Sequence, residues 1–167
     1  MLGRFGFKVY FGDATRLELL EAAGLEHAKV LVAALDNPEK QAELIRNVSQ
    51  HYPNIKIVAR AGDREGAYDL KEMGVQYIYR ETRETAVLMG RDVLRLLGTR
   101  SYTAEKAKNL FLKHDDETFH ELFELRQDRV QYMSLAKQRN AELERLMLVD
   151  LGQEEELGRD PWSEMER

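Results

Sequence analysis

The chain has 167 residues, 43% hydrophobic and 33% charged, with no cysteine and a net charge of −5. This composition supports a folded core with exposed helices and excludes disulfides and thiolate metal sites; no apolar run approaches the roughly 18 residues of a membrane span. Residues 1–149 sum to zero and all of the net charge lies in residues 150–167, so the basic footprint that general nucleic-acid binding needs is missing.

In chain order, Lys8–Phe11 reads as a short strand and Asp13–His27 as a helical segment, with Leu17, Leu19, Leu20 and Ala23 on one face and Gly24 ending the helix. Lys29–Leu35 is a continuous apolar run, the pattern of a strand buried on both faces. Asp36-Asn37-Pro38 starts a helix that runs to His51, where Tyr52-Pro53-Asn54 stops it. Ile55–Ala59 is a strand, Asp63–Met73 a helix closed by Gly74, and Val75–Tyr79 a further strand. Short strands spaced by helical segments predict a parallel α/β sheet.

After Glu81 the pattern becomes helical. Thr82–Leu97 forms one helix, ended by Gly98, and Thr103–Lys113 a second. Asp115-Asp116-Glu117 is expected to cap a last long helix to about Val149, roughly 50 Å long, which either reaches beyond its own domain toward a second subunit or another protein or is solvated with a frayed end. Residues 150–167 hold seven acids against Arg159 and Arg167, with Trp162 among them. They are expected to be a disordered acidic tail. The expected domains are therefore 1–98, a partial Rossmann-like sheet, then 99–149, a helical extension, then the tail at 150–167.

No G-x-S-x-G, H-E-x-x-H or Cys/His pairing is present. His27, His51, His114 and His120 are scattered, and His114-Asp115-Asp116-Glu117 reads as an acid-rich helix start rather than a cation site. No catalytic or metal residue is assigned.

Candidate ligand residues lie where strands end, since open α/β sheets bind ligands at that edge. Gly12-Asp13-Ala14 follows the first strand; Asp13 serves either as an acceptor for a ligand amino or hydroxyl group, or as a helix cap. Ala33, Ala34 and Leu35 end the second strand, where small residues admit a nucleotide or simply pack. Arg60 ends the third, as a fork for phosphate or carboxylate or as a salt-bridge partner of Glu81.

With Gly12-Asp13-Ala14-Thr15, Val30–Pro38, Ile57-Val58-Ala59-Arg60-Ala61 and Arg80-Glu81-Thr82 in this order and spacing, the chain resembles the cytosolic RCK/TrkA-N regulatory domain of Kef-type (KefB/KefC) glutathione-gated potassium efflux antiporters. The resemblance runs from about Gly3 to about Leu148. It implies a nucleotide (AMP or NAD(H)) near Gly12, Asp13, Ala14, Ala34 and Arg60. It also implies glutathione near Arg80, Asp115 and Phe5, the last within Gly3-Arg4-Phe5-Gly6. Arg80 suits the carboxylates of an anionic tripeptide. Asp115 stands where KefC-type sequences carry asparagine, and its charge opposes an anionic ligand unless Arg80 or a neighbour offsets it.

The G-x-G-x-x-G turn of such folds is absent. The expectation is a sheet lacking its first two strands and phosphate turn, with weak nucleotide binding and an aggregation-prone edge beside Lys8–Phe11. The implied partners are a second copy of the chain, a membrane transport domain of the same protein and an ancillary quinone-reductase-like subunit. The implied place is the cytoplasmic side of a bacterial inner membrane. A nucleotide-dependent oxidoreductase on the same sheet is the alternative; it needs an acid/base residue that the helices after Gly98 do not offer.

Overall fold

The computed structural model describes residue 6 and residues 8–157, the last eight of these by backbone alone. Two compact units are distinguished, 1–82 and 83–167. The helix expected to close the sheet domain therefore groups with the later helices.

The first unit contains α1 (Leu17–Ala22), a 3-10 turn at Leu25–His27, β1 (Val30–Ala33), α2 (Pro38–His51), β2 (Lys56–Ala61), α3 (Arg64–Glu72) and β3 (Tyr77–Arg80). The three strands form a parallel sheet in the order β1-β2-β3. Its register places Leu31 beside Ile57, Ala33 beside Ala59, Ala59 beside Ile78 and Ala61 beside Arg80. This is the mixed α/β, Rossmann-like class that the strand–helix alternation implies.

Local chemistry explains the elements. Asn37 caps α2 by accepting the Lys40 amide at 2.8 Å, and Pro38 opens the helix, where its missing N–H costs nothing. Asp63 caps α3 in the same way through the Gly66 amide at 2.8 Å. Gly74, at φ 85°, turns the chain out of α3 in a left-handed conformation that favours glycine. Leu44, Ile45 and Val48 of α2 and Ala67, Tyr68 and Leu70 of α3 are buried, as are Ala33, Ala59 and Ala61 of the sheet. Small residues on the strands let the helices approach closely, and each large side chain removed from water contributes roughly 1.5–3 kcal/mol before conformational entropy is subtracted.

Two expectations about the sheet are corrected. Lys8–Phe11 is not a strand: among the described residues no strand pairs with it, and Val9, Tyr10 and Phe11 are exposed. A parallel strand needs a neighbour to satisfy its backbone groups, and apolar character alone does not supply one. Nor is β1 buried on both faces. Leu31 and Ala33 turn inward, while Val30 and Val32 are 48% and 67% exposed, on the same face as the exposed Tyr77 and Tyr79 of β3.

The second unit consists of α4 (Arg83–Leu96), α5 (Ser101–Glu124) and α6 (Arg129–Leu157). The helix expected to stop at Lys113 continues unbroken past Asp115, Asp116 and Glu117, so these acids are not a cap. No Gly or Pro interrupts the run, and an aspartate inside a helix costs only about half a kcal/mol against alanine. The break falls at residues 125–128, where Asp128 accepts the amides of Val130 and Gln131 at 3.0 Å each and starts α6. That helix, about 43 Å long, also corrects the expected disordered tail: it continues through Asp150 to Leu157. The strong helix formers Glu154–Glu156 outweigh the single Gly152. Residues 158–167, with Trp162, lie outside the described residues. No helix among the described residues is long and apolar enough to cross a membrane.

Candidate functional site

The carboxyl ends of β1 and β2 and the residue after β3 meet at one edge of the sheet. There the guanidinium of Arg60 is held by three acceptors from separate segments. Its Nη2 donates to the Ala34 carbonyl at 3.2 Å and to Asp36 Oδ1 at 2.5 Å, and its Nη1 lies 2.8 Å from Glu81 Oε2. A buried amide ties the strand ends beneath it together. Gln41 of α2, 5% exposed, accepts the Leu35 amide at 2.9 Å and donates to the Arg60 carbonyl at 2.8 Å. A buried amide satisfied on both sides fixes the spacing of the two strand ends. A cleft of about 560 Å³ opens here, lined among others by Asp36, Gln41, Arg46, Arg60, Asp63 and Glu81.

Beside it, the Gly12–Thr15 loop is strapped to α2. Asp13 accepts the Thr15 amide at 3.1 Å and the Lys40 ammonium at 2.7 Å, and Asn47 donates to the Thr15 carbonyl at 3.0 Å. The Lys40 hydrogen bond, followed by the Thr15 amide, holds the Asp13 carboxyl down at about 2. Lys40 is correspondingly shifted upward by its hydrogen bond to Asp13. Gly12 has φ 156°, and a Cβ there would stand 2.6 Å from Leu19 Cδ2. Ala14 sits in the turn that leads into α1.

Arg80 is the last residue of β3, in register with Ala61 and immediately before Glu81. Thus Ala34 and Arg60 are brought into direct contact, and Asp13 is tied to the helix that begins beside them. Asp115 is elsewhere, in the second unit, in the middle of α5 and 7% exposed. Phe5 lies outside the described residues.

The neighbour that offsets Asp115 is Arg83, the first residue of α4. Arg83 Nε donates to Asp115 Oδ2 at 2.6 Å, and its Nη2 donates to Asp116 Oδ1 at 2.6 Å and to the Leu112 carbonyl at 3.0 Å. Burial works against the Arg83 charge, but Asp115 and Asp116 more than compensate and raise its pKa. Nearby, Thr118 Oγ1 lies 3.3 Å from His114 Nδ1. Residues 114–117 are helix interior rather than a helix start, and no group of three metal-ligating side chains occurs among the described residues.

Asp36 carries a helix-start signal in the sequence, while Lys40, Gln41 and Arg83 belong to none of its candidate ligand sites. For Gln41 a signal existed: it shares the α2 stripe of Leu44, Ile45 and Val48, and a polar residue on a buried stripe must have partners. Lys40 and Arg83 find their partners 27 and 32 residues away, and nothing local announces either pair.

Known proteins give a consistent comparison. The TrkA-N domain family model matches residues 2–81, and that of the potassium efflux system KefB C-terminal domain matches residues 85–162. Among solved structures, the Shewanella denitrificans Kef CTD in AMP-bound form is 48% identical, covering 71% of this chain and 75% of that one, with a TM-score of 0.68.

Proposed function

Because the chain belongs to the family of Kef-type RCK regulatory domains of potassium efflux systems, we propose that it senses two ligands and passes their occupancy to a membrane transport domain of the same protein. Its role in the efflux system is regulatory. The first ligand is a nucleotide of the AMP type, seated at the carboxyl edge with its phosphate toward Arg60 and its adenosine toward Gly12, Asp13 and Ala14, with Ala34 beneath. The second is glutathione, whose carboxylates Arg80 engages. Asp115 enters this reading as half of an ion pair with Arg83 rather than as a bare anion, so the repulsion expected from its charge is offset.

The observation that supports the reading is Arg60 at the edge cleft, in a chain nearly half identical to a Kef domain that carries AMP. Regulation needs no chemical step. A ligand that binds two states of a dimer with different affinity shifts the balance between them, and that shift is the signal. The dimer of identical chains and the quinone-reductase-like subunit belong to the same proposal.

Calorimetry on the whole chain tests it. AMP and glutathione, or a bulky glutathione conjugate, should each give heat. Arg60→Gln should weaken AMP about tenfold and leave glutathione alone, while Arg80→Ala should do the reverse. No heat from either ligand, or turnover of a nicotinamide, would overturn the reading.

A further inference from the structure

Arg60, one of two arginines lining the cleft, offers an anionic ligand a guanidinium that an acid of the chain already occupies. The two carboxylates on the guanidinium differ in how they are held. Glu81 follows the end of β3, its amide donates to the Ala61 carbonyl at 2.9 Å, and its side chain is 51% exposed. Asp36 sits in the β1–α2 junction, and its side chain is 97% exposed. A carboxylate so open to water loses little when it lets go, because its solvation is almost complete in either position. Its Oδ1 nevertheless lies at charge-assisted hydrogen-bond distance from the same Nη2 that reaches the Ala34 carbonyl. A carboxylate oxygen thus takes a guanidinium N–H that a phosphate oxygen could otherwise accept from.

We propose that Asp36 is an intramolecular stand-in for the ligand's anionic group at Arg60, and that it sets the negative charge a ligand must bring in order to bind. The proposal rests on the nucleotide reading of the cleft. A neutral adenosine cannot replace Asp36 on the guanidinium, so it binds with the pair intact. A phosphate can, and Asp36 then turns out to solvent. Part of the phosphate's attraction to Arg60 is spent on displacing Asp36 and on the repulsion that remains from it. Specificity then follows from the competitor as well as from the contact made. Asn37, which caps α2, is not involved in the exchange, so Asp36→Asn removes the charge without touching the cap.

The test compares AMP with adenosine on the whole chain, wild type against Asp36→Asn. The variant should bind AMP about two- to fivefold more tightly, the range that an exposed ion pair is worth. Adenosine should be unchanged, and the gain in AMP affinity should shrink as salt is raised. In an Arg60→Gln background, the gain in AMP affinity from Asp36→Asn should be clearly smaller, because only the direct repulsion of the phosphate is then left to remove. Weaker AMP binding in Asp36→Asn would make Asp36 a direct ligand contact and overturn the proposal. So would an equal gain for adenosine. If neither nucleoside nor nucleotide binds the wild type, the nucleotide reading fails. The stand-in role is then decided by inorganic phosphate, followed through the Arg60 side-chain Nε–H resonance. Saturation at lower phosphate in Asp36→Asn supports it, and identical titrations overturn it.

Discussion

A carboxylate taken out of water must find a cation or give up its charge, and Asp115 has found Arg83. With side chains 8% and 16% exposed, the pair is largely removed from solvent, so breaking it costs more than the pair itself contributes. Arg83→Met should lower stability by about 2–4 kcal/mol, somewhat less than for a fully buried pair because Arg83 keeps some water contact. Urea unfolding followed by circular dichroism checks this. Adding Asp115→Leu should recover most of the loss, and a single variant indistinguishable from wild type would refute the account. Asp13 gives a prediction in pH. Its folded value of about 2 lies below the ordinary 3.8, so the stabilisation it supplies is fully present above about pH 4 and disappears as pH falls from 4 to 2. An NMR titration of the Asp13 carboxyl should show a midpoint near 2, and Lys40→Met should move it up toward the usual carboxylate range. A midpoint that stays put in the variant would mean that Lys40 is not the cause.

At the scale of elements, the caps decide where helices begin. Asn37→Ala should cost about 1 kcal/mol, measurable by the same unfolding, because the Lys40 amide loses its acceptor. It should also loosen the junction from which Asp36 and Lys40 reach Arg60 and Asp13. Asp128→Ala should speed hydrogen exchange at the Val130 and Gln131 amides without changing exchange at the centre of α6; equal rates in both proteins would count against Asp128 as the cap. The contrast with Asp115 shows what was legible. Both aspartates stand in polar stretches that suit a helix start, but only Asp128 begins one, while Asp115 lies inside α5. Local pattern records that an acid favours a first turn. It does not record that an arginine 32 residues earlier will meet that acid in the helix interior. Elements with their own punctuation, such as α2 between Asn37-Pro38 and Pro53, were read nearly to the residue. Lys8–Phe11, with apolar residues but no partner strand among the described residues, was not.

For the molecule as a whole, the same reasoning separates the fold from its surface. The α/β class and the family were legible because four motifs in fixed order are set by the chain's own sequence, whereas the pairings Asp13–Lys40, Asp36–Arg60 and Arg83–Asp115 exist only once the units have folded. Exposure is likewise a property of the folded whole. The continuous apolar run at Lys29–Leu35 argued for a strand covered on both sides, and parallel sheets normally are covered on both sides. In the folded unit Val30, Val32, Tyr77 and Tyr79 face out together, and the register places Val32 in line with Val58 and Tyr77. An exposed apolar strip of this kind, flanked by Lys56 beside Val30 and Arg60 beside Tyr79, attracts other apolar surface. The chain in isolation should therefore bind an apolar fluorescent dye in its native state and self-associate as concentration rises. Val32→Thr with Tyr79→Thr should reduce both, while stability stays within about 0.5 kcal/mol, since surface changes that keep strand propensity cost little. In the second unit, Leu96 and Leu97 are 87% and 78% exposed. Leu96→Gln with Leu97→Gln should remove a further part of the dye signal independently. A native chain that binds no dye would show the sheet face to be covered in solution.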